Sequence, residues 1–340
     1  MSTDRIHLGV DEARALGERA LRGIGYDAGE ASIITDHVID AALCGYEYSG
    51  LAKLLNIPEH RRFAQPRRPM RILHETPVSA LYDGGNNIGM LAMHHAANAA
   101  IAKAEAHGIS VIGVTDSWMS GRSAYFVEMI ARAGLVAIHT ASSGGAVAPY
   151  GGTRPVLGTN PIAFALPGAD GPLVLDMGTS AFMATELQLR ARLAQPLPDG
   201  VAIDRNGQPT TDAEEARSGA LLPFGGAAAG HKGFGLGLIV AAFGLLGGAA
   251  MVPGNDDGYL FIAFRPDLLV PLGELQRELA ALIARVKAVP PLPGVAEIRI
   301  PGEQSAKNRE RLSREGLDID RLVYDRLTAM AGSNTAGASA

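Results

Sequence analysis

The sequence predicts an α/β protein, and three observations carry that expectation. From Val78 onward, short β-branched runs alternate with alanine-rich stretches of helical length, several of them closed by a glycine. The 340 residues are 47 % apolar and 19 % charged, ample for one or two cores. At the centre lies Ser142–Pro167, SSGGAVAPYGGTRPVLGTNPIAFALP, with five glycines and four prolines between two apolar runs that read as strands, Leu135–Thr140 and Ile162–Leu166. Glycine admits positive φ and close approach, and proline stiffens the chain and removes a donor. Such a backbone, with free N–H groups, suits a cradle for a carboxylate or phosphate.

The elements follow in order. Residues 10–22 have Leu16, Ala20 and Leu21 at helical spacing, with Gly23 and Gly25 as stops. A second helix runs from about Gly29 to Cys44 on an apolar face of Ile33, Ile34, Val38, Ala41 and Ala42, and Gly45 ends it. Tyr46–Asn56 follows, and 57–78, rich in proline and arginine, reads as a connector. Ala80–Tyr82 is a short strand and Asp83–Asn87, DGGNN, a turn. Ile88–His107 is a helix stopped by Gly108, Ile109–Thr115 a strand, and Arg122–Ala133 a helix stopped by Gly134. Strands are expected at 135–140, 162–166 and 172–177, and irregular chain over 181–230. Then come a buried helix at Phe234–Leu246, a strand at Tyr259–Phe264, a helix at Gly273–Lys287, a strand at Glu297–Ile300, and helices at Ala306–Gly316 and Ile319–Met330. Residues 331–340 read as a disordered tail.

Composition narrows the function classes. A net charge of −5 without a dense Lys/Arg cluster argues against nucleic acid; the nearest basic run, Arg61-Arg62 with Arg67-Arg68, is short and broken by proline. The single cysteine, Cys44, permits no intrachain disulfide and fits a reducing, cytoplasmic compartment. The N-terminus carries Asp4, Asp11 and Glu12 and does not read as a signal peptide. The apolar run Phe234–Met251 is slightly short for a membrane span and reads as a buried helix, so no membrane partner is expected. The Rossmann fingerprint fails: its best candidate, Gly230–Gly237, has the wrong spacing and no strand before it. No Walker A sequence is present. A metal is not expected either, because the adjacent His94 and His95 diverge around a helix.

Five motifs then stand in order: VLGTNP (Val156–Pro161), VLDMGTS (Val174–Ser180), DRNGQPTTD (Asp204–Asp212), GHKGFGLGL (Gly230–Leu238) and PGE (Pro301–Glu303). Together, over about residues 10 to 325, they resemble the non-Rossmann malate/L-lactate dehydrogenase family. This resemblance implies an α/β fold with a mostly antiparallel central sheet in the cofactor domain, and a helical domain built from both chain ends. The boundaries carried over are 1–75 with 303–330 for the helical domain and 76–302 for the α/β region, with the cofactor domain at about 135–290. The resemblance also implies a homodimer, NADH or NADPH as cofactor, and a small-molecule substrate with a carboxylate next to C=O or C=N, whose carbon receives hydride.

Carried over by position, the cofactor runs along the loop from Met119 (Ser120, Gly121, Arg122), the strand with Asp176, Met177, Gly178, Thr179 and Ser180, then His231-Lys232, and the turn at Gly302 and Glu303. Thr159, Asn160 and Met119 fall to the substrate. Lys232 suits a phosphate. Asp176 is costly to bury unpaired and either accepts from ribose hydroxyls, backbone or His231, or caps a turn. Arg122 meets a cofactor phosphate or a helix neighbour, and Trp118 and Met119 also fit as pocket packing.

The chain departs from the family's pattern at the acid site. A Ser-His-Gly triplet, with an arginine four residues past the histidine, is matched here by Tyr48, Ser49, Gly50 and Lys53. A second histidine, after the DS dipeptide, is matched by Met119. Three accounts stand. In the first, Tyr48 gives the proton, with Lys53 holding the substrate carboxylate or lowering the Tyr48 pKa, and Glu47 a further candidate. In the second, the substrate is a protonated cyclic imine that needs no acid. In the third, the protein is a catalytically silent nucleotide-binding dimer.

Overall fold

Capping and glycine stops set the element boundaries in the computed structural model, which describes residues 4–251 and 256–332. Strand β1 (Arg5–Leu8) leads into α1 (Val10–Gly23) and α2 (Ala28–Leu43). Helix α2 opens on a capping box, in which Asp27 accepts from the Glu30 N–H at 2.8 Å and Glu30 from the Asp27 N–H at 3.1 Å. Two 3₁₀ turns, Glu47–Ser49 and Leu51–Leu55, run into α3 (Asn56–Glu59). Then come β2 (Arg71–Thr76), β3 (Ser79–Ile88), α4 (Gly89–His107), β4 (Ile109–Trp118), α5 (Ser123–Arg132) and β5 (Val136–Ser142). Beyond the glycine-proline stretch lie β6 (Ile162–Leu166), β7 (Leu173–Met177), α6 (Ala184–Arg192), β8 (Ala202–Ile203), α7 (Ala213–Ser218) and β9 (Ala220–Leu221). The chain continues through α8 (Gly226–Leu246), β10 (Gly258–Phe264), α9 (Leu272–Lys287), α10 (Glu303–Glu315), β11 (Leu317–Asp320) and α11 (Arg321–Gly332).

Seven strands form one sheet in the order β2-β3-β4-β10-β5-β6-β7. Only β3 and β4 run parallel, joined by the crossover helix α4; the other pairings are antiparallel. One core packs α4 and α5 on this sheet around Phe126, Phe261 and Ile112. A second core joins α1, α2, the 3₁₀ turns and α11, and includes Leu21, Ile34, Leu54 and Leu327. Its two chain ends are tied by the antiparallel β1–β11 pair.

Several sequence expectations change. The connector over 57–78 contains strand β2, paired with β3. Asp83–Asn87 is no turn: it continues β3 through a register shift, with Gly85 and Asn86 at positive φ. Side chains hold this bulge in place. Asp83 accepts from the Gly85 N–H and binds Arg68 and Arg71, while Asn86 Nδ2 donates to the Arg62 and Gln65 carbonyls. The supposedly irregular 181–230 holds α6, α7 and a two-stranded ribbon, β8–β9. Glu297–Ile300 is not a strand. Of the expected tail, Ala331 and Gly332 close α11 and the remainder lies outside the described residues.

Helix α8 begins eight residues earlier than expected and is not buried in the single chain. It is long and apolar enough to cross a membrane by length and composition. Its glycines face inward, however: a Cβ at Gly233 would strike the Phe224 backbone, and one at Gly244 the Ser142 side chain. Leu238, Ile239, Leu245 and Leu246 are left outward, each at least half exposed.

Candidate active site

A cleft of about 1040 Å³ opens between the 3₁₀ turns after α2, the loop before α5, the glycine-rich chain after β5, strand β7 and the Arg299–Gly302 turn. That volume is at the upper end for small-molecule sites. Among the expected residues, Tyr48, Ser49, Lys53, Met119, Ser120, Gly121, Arg122, Thr159, Asp176, Gly178 and Gly302 line it. The backbone explains several positions. Gly121 has φ +86° and lies against His37, so that a Cβ there would collide with Nε2. His37 Nε2 also accepts the Arg122 N–H at 2.8 Å, which braces the loop. Asp176 accepts the Ala124 N–H at 2.7 Å, at the first turn of α5. Burial raises its pKa, against the pull of that N–H and of Arg122.

Lys53 is the unusual group. It is 4 % exposed, and its pKa falls to about 8 through burial alone, with no carboxylate against it among the described residues. An unpaired ammonium in a cleft wall is an anion site awaiting its anion. The Tyr48 hydroxyl behaves oppositely to one sequence expectation: burial raises its pKa, with Glu186, Tyr46 and Asp176 adding to the rise. Arg122 opposes that rise but does not overcome it, so Tyr48 stays a phenol across the working range.

Other expected residues lie elsewhere. Buried Asn160 faces inward: its Oδ1 accepts the Ser143 N–H and its Nδ2 donates to the Gly237 carbonyl. It braces the cradle and does not line the cleft. Thr179 bonds back to the Thr159 carbonyl, and the Ser180 hydroxyl donates to the Phe182 carbonyl. Met177 ends β7 off the cleft wall. His231 and Lys232 are exposed on the first turns of α8, with His231 edge-on to Tyr150. Glu303 serves the α10 N-terminus, accepting the Ile300 N–H and pairing with Lys287. Glu47 pairs with Arg5, away from the cleft. Arg122, though on the cleft wall, turns its guanidinium to a helix neighbour, 2.7 Å from Asp40 of α2, and over the Tyr46 ring.

Sequence reasoning missed His60, Arg61, Ser123, Asp257 and Arg299, all on the cleft wall. Their one legible signal was a histidine followed by two arginines in a connector. The lining fits a dinucleotide. The cations of Arg61 and Arg299 suit phosphates, and the buried Ser123 Oγ has no hydrogen-bond partner among the described residues and can meet a hydroxyl.

A single parallel strand pair set within an otherwise antiparallel sheet is not the parallel Rossmann arrangement, and the cleft beside it carries a buried lysine. Residues 8–328 match the family model described as malate/L-lactate dehydrogenase, and the chain belongs to that family. The malate/(S)-sulfolactate dehydrogenase of Methanothermus fervidus is 30 % identical, over 94 % of this chain and 96 % of its own length. The solved malate dehydrogenase of Pyrococcus horikoshii superposes with a TM-score of 0.85 at 30 % identity, over 97 % of this chain and 96 % of that one. The Δ1-piperideine-2-carboxylate reductase of Pseudomonas syringae gives 0.79 at 26 % identity, over 96 % and 99 %. By this membership the chain is an oxidoreductase that uses a nicotinamide cofactor on a small molecule.

Proposed function

We propose that this chain is an NADH- or NADPH-dependent reductase acting on the carbon of a C=O or C=N next to a carboxylate. The observation that carries the proposal is Lys53, a buried ammonium on the wall of the cleft without a counter-ion among the described residues. A carboxylate there gains a charge-assisted bond and relieves the desolvation of the cation. Bound reduced nicotinamide supplies hydride to the carbon beside that carboxylate.

The protein's own residues do the rest. Tyr48, partly buried and protonated, holds the proton that the product oxygen or nitrogen takes up. Ser49 lies beside it in the same 3₁₀ turn and offers a hydroxyl to the substrate. Thr159, on the cleft wall, offers a hydroxyl to the same substrate. Ser120, Gly121, Asp176, Gly178 and Gly302 border the cofactor, with the Asp176 carboxylate able to accept from a ribose hydroxyl.

A homodimer in the cytoplasm, and a helical domain made from both chain ends, belong to the same proposal. The outward leucines of α8 support the first and the β1–β11 pair the last. The test has two stages. NADH and NADPH fluorescence titrations should show saturable binding of at least one dinucleotide. Nicotinamide absorbance, followed across a panel of 2-oxo acids and cyclic imino acids, should then show turnover. Binding without turnover favours the silent nucleotide-binding dimer; no binding ends the proposal.

A further inference from the structure

His60 sits just past α3, and its imidazole lies flat on the Trp118 indole, with centroids 4.4 Å apart and planes 3° from parallel. Both partners are fixed. The buried indole donates its Nε1–H to the Asn86 carbonyl at 3.1 Å. Two residues after His60, the buried Arg62 guanidinium donates to Asn86 Oδ1 at 2.8 Å and to the Ser117 carbonyl at 3.1 Å, and pairs with Asp116. The ring is therefore held on one face by an anchored indole and along the chain by an anchored arginine. His60 lines the same cleft as Lys53 and Tyr48. His60 Nδ1 accepts the Arg62 backbone N–H at 3.3 Å, which leaves the hydrogen of the neutral ring on Nε2. Burial, with the nearby charges of Arg61 and Arg62, lowers its pKa to about 4, so the ring is neutral near pH 7. Asp256 and Asp257 border the same cleft.

We propose that His60 is a catalytic hydrogen-bond donor: its Nε2–H meets the carbonyl oxygen of a 2-oxo acid whose carboxylate rests on Lys53, and polarises that carbonyl while keeping its own proton. The inference rests on the reductase reading above and narrows its substrate class. A neutral imidazole donor favours charge growing on an oxygen without being consumed. The balance closes without a further reagent. The carbonyl carbon gains hydride from reduced nicotinamide, which becomes oxidised. The C=O π pair moves to oxygen, and that oxygen takes the Tyr48 proton, which solvent replaces. A protonated cyclic imine has no lone pair for an N–H donor to meet, so the arrangement selects 2-oxo acids over imines.

The experiment uses the full-length protein and the variants His60→Phe, which keeps a flat ring on Trp118, and His60→Gln, which keeps an N–H donor. Circular dichroism and dinucleotide titration check that each is folded and still binds cofactor. Turnover of the best 2-oxo acid should fall about 10²-fold in His60→Phe and recover to within about tenfold in His60→Gln. Independently of activity, oxamate, an unreactive 2-oxo acid analogue, should shift the His60 Nε2–H signal in ¹H–¹⁵N spectra of the wild type. It should also bind about tenfold more weakly to His60→Phe by calorimetry. Turnover of His60→Phe within threefold of wild type, an unmoved imidazole signal, or a wild type that reduces cyclic imines and no 2-oxo acid each overturns the proposal. Failure of the wild type to bind any dinucleotide removes the reductase reading itself, and this proposal with it.

Discussion

The wall of the cleft and the helical layer beside it treat their charges in opposite ways. In the layer of α2, α5 and α10 beside the cleft, the buried charges meet opposite charges. Arg309 grips both Glu128 oxygens at 2.8 Å and lies 2.9 Å from Asp40, Asp40 takes Arg122, and Asp176 takes a backbone N–H. On the wall made by the 3₁₀ turns and the segment after α3, Lys53 is buried without a counter-ion among the described residues, and His60 lines the same cleft. Matched charges fix a shape; an unmatched buried charge is kept at a cost in stability, and the wall that carries it is where chemistry is expected.

Four changes test that contrast, from the largest expected effect to the smallest. Lys53→Met should lower kcat/KM for 2-oxo acids about a thousandfold while leaving thermal stability equal or higher, because it removes a desolvated cation without opening a cavity. A stability loss comparable to that of a core truncation would mean the ammonium has a structural partner. Tyr48→Phe should cut turnover by ~10² with little change in dinucleotide affinity, as read in parallel titrations; a loss under threefold removes Tyr48 as the acid. The third test is pH. The folded Lys53 releases its proton near pH 8, so oxamate affinity should be level below that value and fall about tenfold per unit above it. The sign for stability is the reverse. Between about pH 8 and the ordinary lysine range the unfolded chain holds a proton that the folded chain has lost, so this group adds stability as pH rises. In the matched layer beside the cleft, Arg309→Met should cost roughly 1–3 kcal/mol in denaturant unfolding, at the lower end if solvent screens its partly exposed head, with turnover per folded molecule nearly unchanged.

Much of the scaffold was legible because periodicity and glycine stops act locally. The helices at 10–22, 88–107 and 122–133 appear within a residue or two of their expected ends. What stayed hidden depends on partners distant in sequence. β2 is recognisable only once Asp83 is seen binding Arg68 and Arg71, and DGGNN reads as a turn until Asn86 is seen clasping the Arg62 and Gln65 carbonyls. The outward face of α8 was hidden because hydropathy cannot say that its glycines, rather than its leucines, point inward. At the site, Tyr48 and Lys53 were found because they stand where a known pattern is broken. His60 was missed because its importance comes from an indole 58 positions away. The direction of the Tyr48 shift went unforeseen because burial, the larger effect, cannot be weighed from neighbours in sequence.

The β1–β11 pair has a consequence for biosynthesis. Residues 5–8 are made about three hundred residues before residues 317–320, to which they bond, so part of the cover over Leu16, Leu21 and Ile34 in α1 and α2 is missing until β11 and α11 have been synthesised. Nascent chains stalled before about residue 316 should therefore be captured by holdase chaperones at their amino-terminal end, and release of a few dozen more residues should end that capture.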